Sequence, residues 1–331
     1  MNKITIKDLA KEAGVSISTV SKALNGVDVV KADTRDRILE ISRRHNYVPN
    51  LMGKQLKTGK TKMIGFYTDS ITGPYFNTLV ESIARSAEKE GYGINVFISN
   101  NKQVVLNSIM GNIVDGIIGF QDIITKEDLK AMKREKIKAV FIDRNTADET
   151  IGSVVFDSYQ KGYEATEFLI QSGHAKIGFI TGYEGVYDSD ERFNGYKSAL
   201  NDYSIMYDKK YVLAGLFEEN ASYNSMTLFL KNNVNDVPTT FIAGNDLSAI
   251  GAIKSLNSLG YSIPEDFSIV GFDNIELLEY FVPKLTTVCN PISQQGERAV
   301  EHLLELINGE KKGEIIELSG ELIIRNSTSI L

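Results

Sequence analysis

The sequence predicts a small all-α helix-turn-helix head followed by an α/β body of two doubly wound parallel-sheet subdomains. Three observations carry this reading: an amphipathic helix pair broken by a glycine near the N-terminus, short apolar strands alternating with helical segments from Met63 onward, and a polarised charge. Residues 1–62 hold 13 Lys and Arg against 6 Asp and Glu, whereas the remainder holds 23 against 37. Cations gathered at one end fit a nucleic-acid module joined to an acidic control domain, because phosphate neutralisation supplies most non-specific affinity. At 331 residues the chain exceeds one ordinary core.

In the head, Ile6, Leu9, Ala10 and Ala13 recur at helical spacing, and Gly14 supplies the permissive backbone of a tight turn. Ser16 is the expected N-cap of a second helix with Val20, Ala23 and Leu24 inward and Val15 packing from the turn. Its outward face, Ile17, Ser18, Thr19, Ser21 and Lys22, suits a major groove. Ile17 and Ser18 lie near the end that reaches base edges, and Lys22 can donate to guanine O6 and N7. On this stretch alone an ordinary exposed helical hairpin is the competing reading. A third helix from Asp33 to Asn46, capped by Asp33 or Thr34, closes the small core with Tyr47 beneath it.

Pro49 stops that helix, and Asn50 can cap a short segment carrying Leu51, Met52 and Leu56 among lysines. Too few apolar residues are present for a core, so the segment should order only on a partner. An apolar wedge flanked by lysines is the composition of a minor-groove kinking element. Gly59-Lys60-Thr61 imitates a phosphate loop, but Lys54 stands where the first glycine is required and the triplet precedes a strand. The boundaries read from these features are 1–48 for the head, 49–62 for hinge and linker, and 63–331 for the body.

The body's strands are MIGFYTD from Met63, INVFIS from Ile94, GIIGF at 116–120, AVFID at 139–143, SVVF at 153–156, KIGFITG at 176–182, TTFIAG at 239–244 and FSIVGFD at 267–273. Helical stretches between them give the signature of parallel sheets, and about ten such units exceed one sheet. Ligands collect at the carboxyl ends of parallel strands. Those ends carry Asp69, Phe120, Asp143 with Arg144, Asn245 with Asp246, and Asp273 with Asn274. Any one of them is more readily a helix cap; their recurrence favours a shared cleft.

Chemistry of other kinds finds little support. Cys289 is the lone cysteine, and His45, His174 and His302 lack ligand spacing, so neither a disulfide nor a metal site is expected. Hydrolase, zinc-protease and dinucleotide motifs are absent, so no catalytic residue and no cofactor is predicted. The acidic cluster Glu184, Asp188, Asp190 and Glu191 reads as a solvated loop. No apolar run approaches the ~20 residues of a membrane span and the N-terminus lacks a signal-peptide core, so a cytoplasmic protein with no membrane partner is expected. A two-lobed solute-binding protein and a sugar-active α/β enzyme are the competing classes, and within a DNA-binding regulator control by a partner protein or by a nucleoside stays open.

Several stretches together resemble the lactose repressor and galactose repressor family of bacterial transcription regulators. They are IKDLAKEAGVSISTVSKALNG (6–26), YVPN (47–50) leading into KQL (54–56), SGHAKIGFITG (172–182), ERFNGY (191–196), GNDLSAIGA (244–252), IPEDFSIVGFDN (263–274) and PKLTTV (283–288). The resemblance covers nearly the whole chain. It implies subdomains of periplasmic-binding-protein type, one of about 63–158 plus 292–320, the other of about 159–291 plus 321–331.

It further implies a homodimer on double-stranded, pseudo-palindromic operator DNA, and the chain's end shortly after ELIIRNST argues against a tetramerising helix. Ile17, Ser18 and Lys22 would read bases, Thr5, Ser16, Thr19, Ser21 and Asn25 would hold the backbone, and Leu56 with Lys57 and Gly53 would form the minor-groove hinge. Many members have alanine at the position of Gly53, and glycine inside a helix costs roughly 0.5–1 kcal/mol, so this hinge should fold less readily. In the body the resemblance points to Asp69, Tyr75, Phe76, Arg192, Tyr223, Asn245, Asp273 and Asn290 as effector contacts, beside Phe120 and Asp143 from the strand ends. Several carboxylates against one arginine argue for a neutral small-molecule effector, a sugar or polyol.

Overall fold

Residues 4–48, 60–111, 113–233 and 236–331 are described by the computed structural model, in which the chain divides into two units, Met1–Thr61 and Lys62–Leu331. In the first unit, Thr5 and Asp8 form a reciprocal capping box that opens α1 (Ile6–Ala13), and Gly14 closes it at φ 64. Ser16 caps α2 (Ile17–Leu24) by accepting from the Thr19 N–H at 3.1 Å. α3 (Ala32–Arg44) starts earlier than the sequence suggested. Lys31 is its N-cap without a side-chain bond, so neither Asp33 nor Thr34 caps it; Asp33 instead lies in the first turn, where its charge favours the helix dipole. Leu9, Ala10, Ala13, Val20, Ala23, Val30, Ile38 and Ile41 form the core, with Tyr47 packed against it. The hinge expectations for Gly53, Leu56 and Lys57 lie outside the described residues.

The second unit holds two six-stranded sheets. The first is built from β1 (Met63–Thr68), β2 (Gly93–Ile98), β3 (Gly116–Phe120), β4 (Ala139–Ile142), β5 (Ile151–Phe156) and β11 (Ile315–Leu318), in the order β11-β5-β4-β3-β1-β2 and all parallel. Helices α4 (Pro74–Lys89), α5 (Lys102–Met110), α6 (Lys126–Arg134) and α11 (Ile292–Asn308) cover it. One of its cores joins Ile64, Phe66, Leu79, Ile83, Ile118, Val140 and Leu303. Central strands are apolar along their whole length because both faces are covered.

The second sheet contains β6 (Ile177–Thr181), β7 (Val212–Ala214), β8 (Thr240–Ala243), β9 (Ser268–Asp273), β10 (Thr286–Cys289) and β12 (Leu322–Ile323), in the order β12-β10-β9-β8-β6-β7 with only β12 antiparallel. Its helices are α7 (Ser158–Gln171), α8 (Tyr187–Asp202), α9 (Glu219–Asn232) and α10 (Asp246–Ser258). Four strands, β7, β10, β11 and β12, were not anticipated. Three residues of β7 and two of β12 are too few for a pattern, β11 is a half-exposed edge, and β10 buries two threonines whose hydroxyls bond Thr328 and Asp246. The acidic cluster is also relocated: Asp188, Asp190 and Glu191 begin α8, whose N-cap Val186 gives no sequence signal.

The chain passes between the lobes three times, after Phe156, after Cys289 and between Leu318 and Leu322. The crossings bond to one another, Asp157 N–H to Leu318 O and Cys289 N–H to Glu321 O, each at 2.8 Å. They lie so close that a Cβ on Gly320 would fall 1.8 Å from Cys289 O. In the second lobe α7 and α8 meet at facing glycines: a Cβ on Gly195 would lie 2.0 Å from Tyr159 O, and one on Gly162 2.3 Å from Arg192 O. Gly195→Ala should therefore destabilise the second unit by about 1–3 kcal/mol through overpacking. Calorimetry checks this, and an unchanged melting temperature would refute so tight a helix contact.

Candidate functional site

The head presents one polar face. Ile17, Ser18 and Lys22 are exposed on α2, and Ser18 and Lys22, four residues apart, share a side. Ser16, Asn25 and Thr5 are exposed around that face, while Thr19 and Ser21 are half-buried. Ser16 Oγ lies 2.8 Å from Thr19 Oγ1, and Asn25 Nδ2 donates to Ser21 O at 2.7 Å, so both residues are fixed by local bonds.

In the second unit the strand ends converge. On the first lobe's wall, Tyr75, Phe76 and Phe120 pack as an aromatic triad, with Phe76 edge-on to Phe120 at a centroid distance of 4.9 Å. Tyr75 Oη lies 3.0 Å from Asp143 Oδ2 and 2.9 Å from Gln295 Oε1. On the opposite wall Arg192 donates to Gly244 O at 2.5 Å and to Asp188 Oδ2 at 3.0 Å, with Asp273 Oδ1 at 3.6 Å. Its guanidinium also stands 4.7 Å from the Phe272 ring centroid and 6.0 Å from that of Phe217.

Arg192 and Asp143 are only 2% and 3% exposed, so charge here is screened much less than at the surface. Burial opposes the Arg192 charge, yet Asp188, Asp273 and Asp143 outweigh it and hold the guanidinium above its ordinary value. Burial pushes the Asp273 carboxyl up to about 6 despite Arg192 beside it. Asp188 is likewise raised by burial, and Asp143 is raised well above the usual carboxylate range by burial and then by Asp188. Arg192 Nε and Asp188 Oδ1 are buried without a well-formed hydrogen bond among the described residues, although Ser158 stands close enough to Asp188 to help keep it ionised. Asn290 sits beside Asp273, which its amide helps keep ionised, yet neither amide atom reaches a well-formed hydrogen bond.

Backbone strain concentrates at the same strand ends. Gln121, Asp143, Leu216, Phe217, Asp273 and Asn274 all have φ between 48° and 106°, where side chains other than glycine are disfavoured. Buried Asp246 pins one of these turns, accepting from Ile275 N–H at 2.9 Å and from Thr287 Oγ1 at 2.6 Å. A cavity of ≈ 580 Å³ opens on the outer side, lined by Asp69, Phe120, Asp143 and Arg144 from one lobe and Asp190 and Glu191 from the other.

Tyr223 is not brought to the cleft. Its hydroxyl donates to Ser258 at the far end of α10, a helix of 13 residues, about 20 Å from the Asn245 cap at 1.5 Å per residue. Phe217 is instead one of the aromatic residues near Arg192, with its ring 6.0 Å from the guanidinium, and its carbonyl accepts from Asn245 Nδ2 at 3.1 Å. Asn245 also caps α10 through Ser248 N–H, so both ends of its amide are engaged. Asp188 and Gln295 were missed as well. The Asp188–Arg192 spacing of four residues was a usable signal, whereas nothing local marks Gln295.

Among the described residues, His302, Glu305 and Glu314 are close enough together to share a cation. His302 Nε2 accepts from Glu314 N–H and Nδ1 faces Glu305, both at 3.2 Å, while Lys311 reaches Glu305 at 2.9 Å; the ring is a structural bridge.

The same two-part architecture occurs in known regulators. Residues 5–50 match the model for bacterial regulatory proteins of the lacI family, and residues 166–328 match that for a periplasmic binding protein-like domain. The HTH-type transcriptional repressor PurR of Actinobacillus pleuropneumoniae is 32% identical over 330 residues, covering 98% of each chain. The chain belongs to the LacI family. Among solved structures, the Lac repressor dimer bound to operator and an anti-inducer superposes with a TM-score of 0.85 at 25% identity, over 99% of this chain and 100% of that one. A LacI-family regulator of Enterococcus faecium with bound ribose gives 0.74 at 29% identity, over 81% and 99%. The protein is thus a DNA-binding transcriptional repressor with a small-molecule effector, and not an enzyme. Among the described residues, no helix is long and apolar enough to cross a membrane.

In this LacI-family repressor the Asp188–Arg192 pair is buried and coupled to Asp273, so removing one partner strands a charge. Arg192→Ala, which leaves Asp188 and Asp273 buried without their cation, should cost about 3–5 kcal/mol in urea unfolding. A loss below ~1 kcal/mol, the worth of an exposed pair, would show that the pair is not held dry.

Proposed function

We propose that this repressor controls carbohydrate utilisation and that its effector is a neutral sugar bound between the lobes. The observation that carries this is the set of incompletely satisfied groups in the cleft: Arg192 Nε, Asp188 Oδ1 and the Asn290 amide mix donors and acceptors that make no well-formed hydrogen bond among the described residues. Sugar hydroxyls both donate and accept, and the aromatic triad offers an apolar face for a ring. Asp188 and Asp273 against one arginine disfavour an anion. Asp69, Tyr75, Phe76, Phe120, Asp143, Arg192, Asn245, Asp273 and Asn290 remain the proposed contacts, with Phe217 in place of Tyr223. The ribose-bound relative is consistent with this ligand class. A nucleoside is the second reading, favoured by Phe217 facing the cleft from the lobe opposite the triad, since a flat base would fit between aromatic rings.

The repressor acts as a homodimer, with one head per half-site of a pseudo-palindromic operator. Ile17, Ser18 and Lys22 read base edges, Thr5, Ser16, Thr19, Ser21 and Asn25 hold the backbone, and Leu56 wedges the central step beside Gly53 and Lys57. Ligand binding changes the angle between the lobes, and the hinge segment orders or melts in response.

A thermal-shift screen of sugars, polyols and nucleosides is the first test. A true effector at a hundred times its Kd should stabilise by about 2.7 kcal/mol, and Arg192→Ala should abolish the shift. Stabilisation by nucleosides alone would overturn the sugar reading. On the DNA side, Lys22→Ala should cost about 1–3 kcal/mol and relax preference at one base pair. Leu56→Ala should weaken operator affinity without dissociating the dimer. Unchanged binding of both variants in salt-controlled gel shifts would remove them from the interface.

A further inference from the structure

Three side chains on the first lobe's wall close a hydrogen-bonded ring that is one proton short. Tyr75 Oη contacts Asp143 Oδ2 and Gln295 Oε1, and Gln295 Nε2 donates to Asp143 Oδ1 at 3.0 Å. Three contacts need three protons. The tyrosine hydroxyl brings one and the amide directs one at Asp143, leaving two acceptor oxygens face to face at the third contact. Exchanging the amide oxygen and nitrogen does not help. The amide would then donate to Tyr75 and the tyrosine to Oδ2, while Gln295 oxygen would face Oδ1 with no proton between them. Only a proton on Asp143 satisfies the ring in either orientation, and both Asp143 and Gln295 are buried, where an unmade bond is costly.

We infer that Asp143 is a neutral carboxylic acid in the folded repressor, donating to Tyr75, and that the cleft closes against Asp188 and Asp273 only while this proton is held. The surrounding charges agree. α4 and α11 contribute uncharged Tyr75 and Gln295, whereas α8 and the end of β9 bring Asp188, Asp273 and Arg192. Arg192 is already engaged by Asp188 and Asp273, and Arg144, next in the chain, turns to Asp122 at 3.1 Å and to Ile124 O at 2.9 Å. Asp69, Asp190 and Glu191, with Lys102 and Lys126, line the outer cavity. Burial and the two facing carboxylates favour the neutral acid, and Tyr75 stays protonated for the same reasons. Losing the proton would make one ring contact repulsive and place a third negative charge across from Asp188 and Asp273, which favours the open cleft. Asp143 is thus a positioning residue with a pH-dependent state. The regulatory consequence rests on the effector-cleft reading; the proton itself does not.

The test uses the full-length repressor and Asp143→Asn, which keeps the proton count because the new amide donates to Tyr75 and accepts from Gln295. Near neutral pH, infrared spectra should show a protonated-carboxyl C=O band in the wild type that is lost in D143N. Thermal unfolding gives a second reading. The folded-state value lies above the unfolded value near 3.8, so between them the folded protein keeps a proton that the unfolded chain has released. The stability this contributes is complete below the unfolded value and lost as pH rises to the folded one.

The unfolding constant of wild type relative to D143N should therefore climb about tenfold per pH unit in that window and then level off. Asp188 and Asp273 titrate in both proteins and largely cancel. A flat ratio with no lost acid band overturns the proposal. If D143N does not fold, Tyr75→Phe removes the acceptor of the acid proton and should shift the band upward; an unmoved spectrum overturns it equally. With D-ribose as the probe, affinity should fall more steeply through the upper end of the window in wild type than in D143N, where only Asp188 and Asp273 still titrate. Equal pH dependence in the two proteins refutes the closure claim. Absence of ribose binding counts against the sugar reading alone, and the infrared and unfolding results then decide the proton.

Discussion

The structure depends on one buried cation. Arg192 stands among three carboxyl groups, tied directly to the Asp188 and Asp273 carboxylates and to the Gly244 carbonyl, with aromatic rings on its flanks. Removing a guanidinium from water costs several kcal/mol, offset only when its donors are met by well-placed acceptors. That requirement explains much of the second lobe. Asp188 lies one helical turn before Arg192, and the Gly162–Gly195 contact lets α7 press against the helix that carries both. Strained Asp273 is held by a turn that Asp246 secures. The first lobe answers with uncharged groups: the aromatic triad, Gln295, and Asp143 carrying its proton.

Much of the fold was legible in the sequence. Parallel strands buried on both faces write themselves as uninterrupted apolar runs, so GIIGF and FSIVGFD could be located to within a residue. The recognition hairpin was equally plain, because Gly14 and Ser16 each have a local conformational reason for their positions, whereas the Thr5 capping box emerged only in the structure. What escaped was structure whose cause is distant. β10 is half polar because its threonines bond Asp246 and Thr328, and α8 begins without a cap.

The cleft divides along the same line. Asp143 and Asp273 were visible because a polar residue ending an apolar strand is a local pattern. Gln295 lies on the outside of that logic, 152 residues from its partner Asp143 and inside an ordinary amphipathic helix. Tyr223 shows the converse hazard. The resemblance placed it in the cleft, but its hydroxyl lies at the far end of α10, about 20 Å from the Asn245 cap, and Phe217, held at φ 57 with its carbonyl on Asn245, lies nearer Arg192.

The three lobe crossings have a mechanical meaning. Because they are hydrogen-bonded side by side, with Gly320 pressed against Cys289 O, they form a narrow strip instead of three independent tethers. Such a strip resists sliding and twisting but bends readily across its width. It thereby favours opening and closing of the lobes over other relative motions, so a molecule bound in the cleft is reported chiefly by how far the lobes close. Ligands of different shape would thus be read on one scale, as degrees of closure.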